Sequence, residues 1–285
     1  MGNPYSITGI ARPLDMTWTT NRAVAWLMPV LALLGAALAW RDGLGGADLA
    51  LAAFRTALLG FGAWAVAREL APDDQPAAFL AMGIALTTLI NVPQPGFALL
   101  FLALLLARVV NRSTGLDLKS LDVVGALLLG AYTSWCHASP VPLAVTALAF
   151  AWSAALPGGA RRMLWPAAGL AAVGAGLFGV FLGPGIGAGS ALSRHGLIVP
   201  AVFAAGFLLA IVTTRQVAAV GDHDSVPLSA ARVRGGMWVV LLLVAGNLAH
   251  GSPLAGKGVA LWSVLGGVAL GRGVRLVRRA MAPDR

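Results

Sequence analysis

The chain has 285 residues, 58% of them apolar, and a mean hydropathy of +0.82. Only 11% are charged, against roughly 25% in a soluble domain, which excludes an ordinary water-soluble fold and excludes disorder. A lone Cys136 excludes an intrachain disulfide framework and a thiolate metal cluster, so an integral membrane protein is what remains.

A hydrocarbon core about 30 Å thick asks for about 20 apolar helical residues per span. Residues 1–20 are too polar for a signal peptide's apolar region and are expected to form a cytoplasmic tail. Apolar runs then follow near 23–40, 49–67, 77–92, 96–110, 121–137, 140–156, 164–182, 197–213, 236–250 and 257–271. The third and fourth are short and meet at Asn91-Val92-Pro93-Gln94-Pro95-Gly96. They read as full spans or as half-spans, so the count is about ten with a range of eight to ten. No connection is long enough to hold a soluble domain. The expected fold is all-α, a polytopic transmembrane helix bundle forming a single integral membrane domain over 1–285. Within it, 21–271 is the bundle and 272–285 a basic cytoplasmic tail.

The charges orient the bundle. With ten spans and both termini cytoplasmic, sixteen Lys and Arg residues fall on inner segments. Only Arg41, Arg194 and Lys257 fall outside, and Arg55 lies within the second span. That asymmetry is what the positive-inside rule demands, and one miscounted span inverts every later loop. The net charge of +9 and the pI of 11.3 then belong to inner loops that meet anionic headgroups of the bilayer. Nucleic acid is not an expected partner. Further membrane subunits or a second copy of the chain are.

Two segments invite comparison within the chain. Pro76-Ala77-Ala78-Phe79 opens the third span and Pro166-Ala167-Ala168-Gly169 the seventh. His137-Ala138-Ser139-Pro140 links spans five and six, and His250-Gly251-Ser252-Pro253 links nine and ten. Both pairs sit four spans apart, which suggests a parallel repeat of spans 3–6 and 7–10. The competing arrangement is five spans followed by an inverted five. Gly is unusually abundant, and pairs such as Gly266-Gly267 are expected at close helix contacts.

Few residues carry chemistry. His137, His195 and His250 fall at the outer face, and His223 in an inner loop. An imidazole at a span end can relay protons or bind a ligand, or it can simply close the helix, with Ser139 and Ser252 in the same turns. No second residue at metal-ligand spacing joins them, so neither a metal nor a cofactor is expected. Arg55 has Asp48 two turns away on the same helical face, with Asp42 nearby in the loop. The pair is either structural or a binding site for an anionic solute or headgroup. Asp73 and Asp74 are adjacent, and Asp117 and Asp122 are five apart. Neither spacing is the one-turn spacing of a metal-dependent membrane transferase, and Asp73-Asp74 reads as a solvated, Arg-paired turn.

Three functions fit this pattern. The first is a small secondary transporter or carrier, whose span count and length are similar to the drug/metabolite transporter superfamily, a likeness that no residue motif carries. The second is a non-catalytic membrane subunit or scaffold. The third is a lipid-processing enzyme with an outer-face site around Asp42, Asp48, Arg55 and the histidines.

Overall fold

The computed structural model describes residues 7–88, 96–157, 160–181, 194–249 and 258–281. Among them ten helices follow one another. They are α1 (Thr19–Arg41), α2 (Ala47–Leu70), α3 (Gln75–Thr88), α4 (Phe97–Asn111) and α5 (Ser120–His137), then α6 (Val141–Ala155), α7 (Arg161–Phe181), α8 (Arg194–Thr213), α9 (Ala230–Ala249) and α10 (Val259–Met281). Among the described residues each expected apolar run holds a helix. Four of them, α1, α2, α7 and the Val259–Arg278 part of α10, are long and apolar enough to cross a membrane.

Two boundaries differ from the expectation for a physical reason. The basic segment from Arg272 is no tail: α10 continues to Met281, because Leu270, Val274, Val277 and Met281 keep a helical apolar spacing between the arginines. The N-terminal segment is not a free tail either. Ile10 is buried, and residues 8–12 lie across one end of the bundle.

The core forms around α4, whose buried residues run round all its faces from Leu99 to Asn111. Its 15 residues rise about 22 Å, less than a bilayer core. Enclosed by α2, α5, α6 and α9, α4 need not match the lipid thickness. Elsewhere the faces turned away from the core are apolar: Trp26, Leu33 and Trp40 on α1, and Leu170, Val173, Leu177 and Val180 on α7, are all exposed.

Small residues let the helices close up. On α10 the pair Gly267 and Gly271 faces Ala81 and Ala77 of α3, both pairs at four-residue spacing. A Cβ at Gly267 would stand 2.4 Å from the Ala81 backbone, and one at Gly271 would stand 2.5 Å from Ala77 Cβ. Lacking that atom, the two backbones meet directly, which is how helices pack when lipid is as apolar as their side chains.

The packing does not carry the parallel repeat. A two-fold relating α3–α6 to α7–α10 requires the close α4–α9 pair to be matched by α8 on α5. Among the described residues α8 packs on α10 and α9, and α5 packs on α4, α6 and α7.

Contacts of Asn111 with Glu69, Arg232 with Val110 and Pro157, Arg272 with Thr213 and Arg275 with Asp73 bring the ends of α2, α4, α6, α8 and α10 to one end of the bundle. Five sets of unsatisfied carbonyls gather there, with the negative ends of five helix dipoles. This is the basic end, and cationic side chains answer the carbonyls directly. Arg232 donates to Val110 O at 2.9 Å and to Pro157 O at 2.7 Å. Arg272 donates to Thr213 O, and Arg275 to Asp73 O.

Candidate functional site

The described residues gather their polar chemistry at the basic end, around Glu69 in the last turn of α2. Its side chain is 2% exposed. Arg12 of the N-terminal segment places Nη1 3.5 Å from Glu69 Oε2, and Arg108 of α4 places Nε 3.6 Å from the same oxygen. Asn111, one turn beyond Arg108, donates to the Glu69 carbonyl at 2.8 Å. A carboxylate this deep is tolerable only with such partners, because burying an unpaired charge costs several kcal/mol.

Arg12 also forks onto Asp222, with Nε 2.5 Å from Oδ2 and Nη2 2.6 Å from Oδ1. Burial pulls the Arg12 guanidinium down, but Glu69 and Asp222 together hold it above its ordinary value. Arg68 completes the cluster: it lies 5.4 Å from the Trp64 ring centroid and donates to Thr20 Oγ1 at 2.8 Å. Three cations thus surround two anions.

Asp222 is brought there by the segment between α8 and α9, which sequence reading treats as a plain loop. Val220 and Pro227 form an isolated antiparallel bridge, and Gly221 N–H reaches Val226 O at 2.8 Å. The tip docks on the α4–α5 connection, where Asp222 and His223 donate backbone N–H groups to Ser113 O and Thr114 O. Gly115 and Gly221 leave room for the Asp224 carboxylate, which a Cβ at either position would strike. A carboxylate ties down the N-terminal segment as well. Asp122 Oδ2 accepts the N–H of Gly9 and of Lys119, both at 2.8 Å, so one side chain caps α5 and holds the strap.

The second polar feature is a recess between the α2–α3 turn, α8, α9 and α10. Its mouth carries Asp73, Asp74, Thr214, Gln216, Arg272 and Arg275, and its floor Ala210, Val233, Met237 and Val268. Asp73 accepts the N–H groups of Ala218 and Ala219, and Asp74 pairs with Arg275 at 3.9 Å. The turn is expected to be solvated and Arg-paired: the arginine is there, from α10, but Asp74 is buried rather than solvated.

The residues singled out from sequence are not assembled. Arg55 is half-buried in α2 and Asp48 exposed in its first turn, and neither an ion pair nor a hydrogen bond joins them among the described residues. Asp42 instead pairs with neighbouring Arg41, 3.0 Å away and exposed. His137 is buried as the last residue of α5. Ala138 follows in the left-handed conformation, Ser139 N–H returns to Ser134 O at 3.1 Å, and Ser139 Oγ accepts the Val141 N–H at 3.3 Å. That turn closes one helix and opens the next. His250 and Ser252 lie outside the described residues, as does the side chain of His195. Asp117 pairs with Arg112. Among the described residues no group of three His, Cys, Asp or Glu side chains could hold a metal ion.

Sequence reasoning missed Arg12, Glu69, Arg108, Asn111 and Asp222 as a group. The available signal was Glu69 itself, an acid at the end of an apolar run where lysine and arginine dominate. Compared with known protein families, with curated proteins and with solved structures, the chain finds no match.

Proposed function

We propose that the chain is a ten-span protein of a bacterial cytoplasmic membrane, with both ends in the cytoplasm, that carries a small solute and uses its basic end as the cytoplasmic gate. The observation that supports this reading is the Glu69 cluster. Ion pairs from the N-terminal strap, α2, α4 and the α8–α9 segment meet across one end of the bundle. Such pairs have little net stability once desolvation is counted, which suits an element with two arrangements. The polar-mouthed recess beside them would be the entry path. With three arginines facing two carboxylates, a small anion is the solute class able to compete for Arg12 or Arg108.

The test is reconstitution into vesicles with a panel of small organic and inorganic anions, alongside thermal unfolding of the detergent-purified protein with the same panel. A carrier shows saturable uptake of at least one anion, and Thr214→Trp, which blocks the recess mouth, abolishes it while the protein stays folded. The topology is tested separately on a Cys136→Ser background: Gly45→Cys should label from outside and Ser225→Cys from inside. Labelling of both from one side contradicts the ten-span orientation.

A second reading, a non-catalytic membrane subunit, has its own support. The buried hydroxyls of Thr56, Thr133, Thr146 and Ser263 each donate to the carbonyl four residues back in their own helix. None of these four is turned to a shared path. Purification at fixed stoichiometry with another chain, and no response to any anion, favours the subunit. The outer-face enzyme gains nothing from the geometry, since Arg55 and Asp48 stand apart.

A further inference from the structure

Outside the gate cluster, a cleft of about 340 Å³ opens on the flank of the bundle between the start of α3 and the end of α10. Its apolar wall is Pro76, Leu80 and Val274, and its polar groups are Asp74, Arg275 and Arg278, with Asp73 beside them already engaged by the N–H groups of Ala218 and Ala219. Leu270, Val274 and Val277 continue the apolar wall along the exposed face of α10. We propose that this cleft holds a phospholipid whose headgroup carries a hydrogen-bond-donating amine, an ethanolamine phosphodiester, with its acyl chains along Leu80 and Val274.

Two polar groups in the cleft call for opposite partners. Arg278 is exposed and makes no ion pair or hydrogen bond among the described residues, so its planar fork is available to a phosphate. The Asp74 side chain is 11% exposed, and its enclosed Oδ2 accepts no hydrogen bond, the nearest cation being Arg275 Nε at 3.9 Å. A carboxylate with so few donors is costly, and an ammonium N–H at its exposed edge supplies one. Phosphate and amine in one headgroup satisfy both. The apolar wall and lateral opening select a lipid over a soluble phosphate, because the chains have exposed Leu80 and Val274 to cover. Basic pockets between helices at the cytoplasmic side are where headgroups bind. The leaflet assignment rests on the proposed orientation, whereas the binding itself does not.

The experiment is thermal unfolding of detergent-solubilised protein titrated with dioleoyl-phosphatidylethanolamine, its mono- and dimethylated forms, phosphatidylcholine and phosphatidylglycerol. Half-saturation should be about tenfold lower for ethanolamine than for choline, the size of one hydrogen bond to a charged group. It should weaken as N–H groups are replaced by methyls. Asp74→Asn should remove the preference for ethanolamine over choline, and Arg278→Gln should weaken ethanolamine and glycerol lipids alike. Equal half-saturation across the methylated series overturns the proposal, whether or not the variants fold. Stabilisation by soluble phosphoethanolamine equal to that by the lipid overturns the lipid occupant. Neither readout depends on transport, so failure of the carrier reading leaves this result interpretable.

Discussion

The two ends of the bundle use charge in different ways. At the basic end Arg12 reaches Glu69, 57 positions along the chain, and Asp222, 210 positions along. At the opposite end the ion pair among the described residues joins Arg41 to Asp42, its neighbour. A pair between adjacent residues forms nearly as readily in the unfolded chain and contributes little to the fold. A pair across 210 positions exists only when four segments have already assembled. Arginine at the basic end therefore does more than add positive charge. It completes the exposed carbonyls of helix ends and locks the N-terminal strap in place.

That contrast breaks most visibly at Glu69. Glu69→Ala leaves Arg12 and Arg108 without their shared counter-charge, and should cost about 3–5 kcal/mol, measured by unfolding in detergent. A loss no larger than that of a surface acid would place Glu69 in water and dissolve the distinction between the ends. The next effect is steric. Gly267→Val pushes a side chain into the α3 backbone at Ala81 and should cost about 1–3 kcal/mol, whereas Gly176→Ala, which meets open space, should be neutral. Asp222→Ala comes third, at about 1 kcal/mol, because its side chain is one-third exposed and Glu69 still partners Arg12. Arg41→Ala or Asp42→Ala at the opposite end should stay within about 0.5 kcal/mol.

The smallest effect is a pH dependence in the strap. The backbone N–H of Thr17 holds the fully exposed Asp15 carboxyl below the ordinary aspartate range. With the folded pKa depressed, the tie is present at neutral pH and is lost as pH falls through that value. Protection of the Thr17 amide, its exchange rate relative to the intrinsic rate at the same pH, should be lost only in acid below the ordinary aspartate range. Loss of protection at neutral pH would contradict it.

Sequence alone goes far with these helices, because apolar length is a local quantity. All ten helices lie where the runs between charged or Gly/Pro-rich breaks put them, and Gly266 and Gly267 do lie at helix contacts, against Phe203 and Ala81. The continuation of α10 was also legible in the spacing of Leu270, Val274 and Val277, which the density of arginine masked. The cluster was not. Arg12 lies in a polar stretch without periodicity, and nothing in its surroundings points to Asp222. Its role depends on packing that brings four remote segments together. Conversely Arg55 and Asp48 satisfy helical spacing and still do not pair. Two turns of separation leave a gap that an exposed Asp48 has no need to cross.

The central claim, that the N-terminal strap is held across the end of the bundle by its arginine, is tested most directly by a double-mutant cycle. Stability is measured in detergent for Arg12→Ala, Asp222→Ala, the double variant and the parent. A coupling of about 0.5–1 kcal/mol between these two residues is expected. Additivity within about 0.3 kcal/mol would mean that the strap does not lie on Asp222, and would contradict the account.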